Sequence, residues 1–352
     1  MMGNNTLSNM THLHNKLYIA LCDVIQGCAF VQFDPKITVV PLRFETVSDE
    51  IDCNADVFVP CSLGEIYEFD SLVREARKDN LDQKLVFCTG FNVKSQLRAI
   101  FLVLSHLIIT CSTTHHQIHS FSHLLQRVLL GCNFASELAQ SLCCSLDALI
   151  CAKRVNWLEF SEALDTDSLN EDCSCCIDVN ERIHYASCLN GQVAAIIPGS
   201  LLNFPPPSTS LPSVLSWMDM EGYRCFSAKY YAALFVDLGV SCVVHLHGPD
   251  TNFNAAREAS SHTKHPAAEI FELAGLTVCE VEVDDRPCSL QSLDHLCSLL
   301  ELGPAALYFS PRYQGQADTL LAAYLLRGGR FPTGAEAAAW MRVARGDGFD
   351  AE

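Results

Sequence analysis

The sequence predicts an α/β protein built as two successive units. Three observations carry that expectation. The chain has 352 residues, long enough for two domains of about 150 each. Apolar residues make up 49% of it, enough for two cores. A short buried-strand pattern followed by a polar turn and an apolar helix occurs twice, at 84–88 leading into 93–110 and at 305–309 leading into 320–326. A parallel sheet flanked by helices is the layer architecture such alternation supports.

Taken in order, 1–14 is polar and reads as a disordered tail. Apolar runs at 16–22, 28–33 and 36–44 are strand candidates. Ser62 caps a following helix, with Glu65 in the capping-box position. That helix, 66–77, places Ile66, Phe69, Leu72 and Val73 on one face. The run 97–111 is the longest apolar stretch, yet Ser105 and His106 interrupt it, so it reads as a buried helix and no membrane span is expected. Helices are expected at 121–130 and 134–152. Further on, 228–237 is a helix ended by Gly239, 241–246 a buried strand, and 267–273 a helix ended by Gly275. The segment 278–283 alternates as a strand with Cys279, Val281 and Val283 on one face, and 290–302 is a helix.

Net charge is −18 with 18% charged residues. Nucleic acid and anionic membrane both demand basic surface, so neither is an expected partner. The 19 cysteines come without a secretion signal at the N-terminal end, so reduced thiols in cytoplasm or nucleus are expected. Under that expectation the two Asn-x-Thr sequons, at Asn4 and Asn9, carry no glycan. No cofactor and no metal are expected. Cys173 and Cys176 have the Cys-x-x-Cys spacing but lie in an acidic stretch without a second pair, so they make half a zinc site. His115, His116 and His119 offer helical spacings of three and four, but no second pair follows, and they read as solvated loop histidines.

The stretch 305–327 organises the rest. Strand, tight turn and helix is the geometry in which backbone N–H groups converge on an anion. Thr319-Leu320-Leu321-Ala322-Ala323-Tyr324 resembles the helix that follows the catalytic loop in the cell-division-cycle-fourteen family of dual-specificity protein phosphatases. Laid on that pattern without a gap, Ser310 stands at the nucleophilic Cys, Gln316 at the phosphate-clamping Arg, Phe309 at the preceding His and Tyr313 at a loop Gly. Pro311, Arg312, Tyr313, Gln314 and Gly315 would form the phosphate loop, and Gly315 keeps its glycine. Two further stretches are similar to the family: Asn190-Gly191-Gln192 running into Pro198-Gly199, where its catalytic domain begins, and Glu336-x-x-x-Trp340-x-Arg342-x-x-Arg345.

The resemblance implies two tandem dual-specificity-phosphatase-like domains, each a mostly parallel sheet flanked by helices. The expected bounds are 15–152 for a non-catalytic N-terminal domain, 153–194 for a linker helix or loop, and 195–352 for the domain with the altered loop. It also implies Asp284 as the general acid, beside Asp285. In the first domain Cys88 falls in the non-catalytic loop with Lys94, not Arg, six residues on, and reads as a small buried hydrophobe. With the thiol and the guanidinium both replaced, the expected function is a pseudophosphatase that binds or scaffolds protein partners, phosphoproteins among them, in phospho-signalling or cell-cycle regulation. The alternative is an active phosphatase using Ser310 and Asp284. Ser310 has no adjacent His as a base, and His245 or His247 would serve only if the fold brings one to it.

Overall fold

A computed structural model describes residues 10–14, 17–20, 37–42, 58–79, 83–89, 92–111, 115–130, 132–158, 179–211, 214–220, 223–248, 266–283 and 289–346. The predicted strand at 28–33, the pair Cys173 and Cys176, and Asp284 and Asp285 lie outside the described residues. The chain divides into two compact units, Met1–Leu158 and Glu159–Glu352.

In the first unit, strands β1 (Met10–His14), β2 (Leu17–Ala20), β3 (Ile37–Pro41) and β4 (Lys84–Cys88) form a sheet in the order β1-β2-β4-β3. Strand β4 is parallel to β2 and β3, while β1 joins β2 antiparallel. The expected tail therefore ends sooner than position 14. Met10–His14 is a strand because its backbone pairs with β2 and Leu13 is buried. Helices α1 (Leu63–Asp79), α2 (Val93–Cys111), α3 (His115–His119), α4 (Ser122–Val128) and α5 (Ala135–Arg154) complete the unit.

The capping box is present at the start of α1. The Ser62 N–H donates to Glu65 Oε2 at 2.8 Å and the Glu65 N–H to Ser62 Oγ at 3.2 Å. Ile66, Phe69 and Val73 are buried, but Leu72 is exposed, contrary to its expected place on the apolar face. The buried arc runs through positions 66, 69, 70 and 73 and takes in Asp70. Asp70 is tolerated there because His106 Nδ1 approaches its carboxylate at 2.6 Å and Arg74 at 2.7 Å. Among the described residues, α2 is the one helix apolar and long enough to cross a bilayer, and 67% of that window is buried inside the unit. Its C-terminal carbonyls, which have no helical partner, accept from Lys153 Nζ at Ile108 and, at 2.8 Å, at Ile109. Cys88 is fully buried.

In the second unit, α6 (Val179–Ala186) precedes β5 (Ala194–Ile197), β6 (Leu201–Asn203), the hairpin β7 (Trp217–Met220) and β8 (Tyr223–Phe226), α7 (Ala228–Asp237), β9 (Cys242–His247), α8 (Pro266–Leu273), β10 (Thr277–Glu282), α9 (Leu290–Leu300), β11 (Ala305–Phe309), α10 (Gln314–Arg327) and α11 (Gly334–Arg345). The main sheet runs β10-β9-β11-β6-β5. Its first four strands are mutually parallel, and β5 is antiparallel to β6. Phe204, Tyr231, Phe235, Phe271 and Tyr308 fill one face of it.

The Asn190–Gln192 stretch enters this sheet as a tight turn. Gly191 takes φ +110°, open to glycine at little cost. The Tyr230 and Tyr231 hydroxyls of α7 donate to the carbonyls of Asn190 and Gly191 at 2.8 and 2.9 Å. The last helix is held at both ends and in the middle. Thr333 and Glu336 make a capping box, Trp340 Nε1 donates to Ile196 O at 2.8 Å, and the Arg345 guanidinium pairs with Asp318.

Candidate functional site

Parallel strands end together, and the crevice beyond their C-terminal ends is where open α/β sheets place ligands. Here that edge brings together Ser310 after β11, Gly248 after β9 and Val283 after β10. In register, Leu246 lies opposite Phe309, and the Val283 N–H donates to His247 O at 2.7 Å. Asp284 follows Val283 in the chain, beyond the described residues.

Strand β11 is buried along its whole length because Ala305–Phe309 is apolar throughout and lies between β9 and β6. Ser310 then takes an extended conformation, φ −67° and ψ 141°, and is exposed. Among the described residues its hydroxyl makes no hydrogen bond. His247 turns its Nδ1 to its neighbour's carbonyl, Gly248 O, at 3.2 Å. The His245 ring stacks on Tyr308 at 4.6 Å between centroids. Nothing in this geometry makes either imidazole the base that Ser310 needs to become a nucleophile.

The polar turn expected between the strand at 305–309 and the apolar helix at 320–326 is much shorter in the structure. Pro311–Tyr313 is one turn of 3-10 helix, and α10 begins at Gln314, before the Gln316 position. The segment continues as helix because 316–319 holds neither Gly nor Pro and Ala317 is fully buried. Two amides at the turn are committed internally. Tyr313 N–H donates to Ser310 O at 2.8 Å, Gln314 N–H donates to Pro311 O, and Pro311 has no N–H. Gln316 sits half-buried in the first turn of α10, and its carboxamide makes no hydrogen bond among the described residues. Gly315 is exposed, with open space where a Cβ would lie.

Tyr313 is the residue that fills the crevice. Its side chain is buried, and its ring lies directly against Gly248. A Cβ added at Gly248 would come within 2.7 Å of Tyr313 Cδ1 and closer still to Cε1 and Cζ. The exposed Arg312 carries its guanidinium 5.7 Å from the centre of the same ring, within cation–π range.

The only buried cationic group at this end of the sheet among the described residues is Arg345. It is ion-paired with Asp318 of α10 and stands 5.5 Å over the Phe309 ring. It ties the last helix to the strand end and to α10. Neither Gly248 nor the Asp318–Arg345 pair was singled out from the sequence as part of a site. Gly248 followed a strand, a position glycine occupies for many reasons, and the partner of Arg345 lies 27 residues away.

The chain is similar to the dual specificity protein phosphatase CDC14AB of Danio rerio, with 25% identity over 354 residues, covering 97% of this chain and 50% of that protein. It thus spans about half the length of the curated relative it matches. No family model matches the chain.

Proposed function

We propose that this chain is a pseudophosphatase: a pair of dual-specificity-phosphatase-like domains that binds or scaffolds other proteins in the cytoplasm or nucleus and hydrolyses no phosphoester. The observation that carries the reading is the Tyr313 ring against Gly248, in the space where a phosphate would have to sit. Three chemical losses reinforce it. A hydroxyl at Ser310 lacks both the acidity of a thiol and a base to take its proton. A neutral amide at Gln316 cannot give the charged, bidentate grip of a guanidinium. Losing two charge-assisted hydrogen bonds of about 1.5–3 kcal/mol each weakens anion binding by roughly 100-fold or more. The Tyr313 and Gln314 amides are also spent on Ser310 O and Pro311 O.

The test is turnover by the purified chain of an aryl phosphate and of a phosphoserine-proline peptide. No turnover above buffer is expected. Activity abolished by Ser310→Ala would refute the reading and favour an enzyme with a serine nucleophile.

A further inference from the structure

Away from that crevice, the first unit gathers three metal-ligating side chains at one point. His115 and His119 occupy one face of α3, four residues apart, with ring centroids 4.1 Å from each other. Asp147 of α5 reaches them from the side. The two Nε2 atoms are 3.1 Å apart, and Asp147 Oδ1 lies 3.0 Å from His115 Nε2 and 3.4 Å from His119 Nε2.

Hydrogen bonding cannot satisfy all three edges of this triangle. If both Nε2 atoms carry protons, both donate to Asp147 and the imidazoles meet donor to donor. If one Nε2 is bare, it accepts from the other imidazole and faces the carboxylate acceptor to acceptor. A cation among the three lone pairs satisfies every edge at once. The size also fits. A tetrahedral centre with bonds of about 2.0 Å has ligand–ligand edges of about 3.3 Å, and the three edges here run from 3.0 to 3.4 Å.

We infer that His115, His119 and Asp147 form a binding site for a borderline divalent transition metal ion of the zinc, cobalt or nickel type, with its fourth position open to solvent. Two imidazoles and one carboxylate suit these ions, whereas calcium and magnesium take oxygen ligands. Three protein ligands and one free position is the arrangement of zinc sites that hold water or an incoming ligand. The open side is the His115 side, where the side chain is 62% exposed against 15% for Asp147. A net charge of −18 raises the local concentration of cations. Among the described residues the group of ligand atoms lying within 4.8 Å of one another comprises His115, His119 and Asp147, which leaves the fourth position to solvent. This site is independent of the pseudophosphatase reading.

Cobalt(II) titration of the reduced, metal-free full chain tests it, read by visible absorption. The expected result is saturation with d–d bands and no intense thiolate-to-cobalt charge transfer, unchanged in a Cys173→Ser/Cys176→Ser variant. His119→Ala and Asp147→Asn each weaken affinity by roughly 100-fold or more, since losing even an outer-shell partner of a metal site costs about 10–100-fold. His115→Ala, at the exposed corner, keeps wild-type circular dichroism and loses both cobalt binding and the rise in Tm that zinc gives the parent chain. Overturning results are no saturable binding, a thiolate charge-transfer band that disappears in the cysteine variant, or a folded His115→Ala chain with undiminished cobalt affinity.

Discussion

The contact between Tyr313 and Gly248 makes a quantitative demand on stability. Gly248 does not adopt the left-handed backbone region, so alanine there is conformationally acceptable, and the three atoms nearest its methyl all belong to the Tyr313 ring. In the parent chain Gly248→Ala forces that buried ring aside, an overpacking change costing about 1–3 kcal/mol. With the ring removed by Tyr313→Ala, the same methyl enters vacated space, and the entropy it removes from the unfolded chain stabilises the fold by about 0.4–1 kcal/mol. The sign of Gly248→Ala therefore reverses between the two backgrounds, and the double-mutant coupling is about 1.5–4 kcal/mol. Urea unfolding followed by fluorescence of the fully buried Trp340 reads it within the second unit. An equal cost of Gly248→Ala with and without the Tyr313 ring would show that the ring does not occupy the crevice, and the reasoning about a filled site would fail.

The remaining expectations concern the same unit. Arg345→Ala removes the buried side of an ion pair whose Asp318 carboxylate is one-third exposed, and the cation over Phe309; a loss of about 1.5–3 kcal/mol in urea unfolding is expected, and a loss below about 0.5 kcal/mol, typical of a surface change, would contradict it. Introducing Ser310→Cys and Gln316→Arg together leaves the chain inactive toward aryl phosphates, because the ring and the short turn persist; adding Tyr313→Gly to that pair allows vanadate to bind, measurable by calorimetry. Burial, then the neighbouring Cys279, raises the Cys242 thiol from 9.0 to about 12, and burial raises Cys143 from 9.0 to about 11. Raised folded-state values mean that both thiols stabilise the fold fully below pH 9 and that this stability drains away as pH climbs toward 11 and 12. A Cys143→Ala/Cys242→Ala chain should accordingly lose less stability than the parent between neutral and strongly alkaline pH, followed by urea midpoints, and native-state alkylation at neutral pH should modify the exposed Cys188 before either.

Much of the framework was legible because local chemistry specifies it. Ser62 and Glu65 declare a helix start within four residues, and the structure holds the box they imply. Gly239 and Gly275 end their helices at positive φ, as glycine at those places predicts. Strands β4 and β11 read as apolar runs, Leu85–Cys88 and Ala305–Phe309, because each is buried between two neighbouring strands of its sheet. What was not legible depends on distant partners. The polarity of 314–318 suggested a loop, yet the buried Ala317 and the Asp318–Arg345 pair draw it into α10. Leu72 fits the apolar spacing of its helix, but the buried arc turned to admit Asp70, whose partner His106 comes from another helix. The same limit hid the histidine site. Two imidazoles at helical spacing were visible, and the third ligand, 28 residues on, arrives only through folding.

The most direct test is a crystal of the chain soaked in tungstate, with the anomalous map inspected at the junction of β11 and α10. The Tyr313 ring against Gly248 and no oxyanion between Ser310 and Gln316 is the predicted result. Tungstate bound over Gly315 and Gln316, with Tyr313 displaced from the crevice, would contradict it.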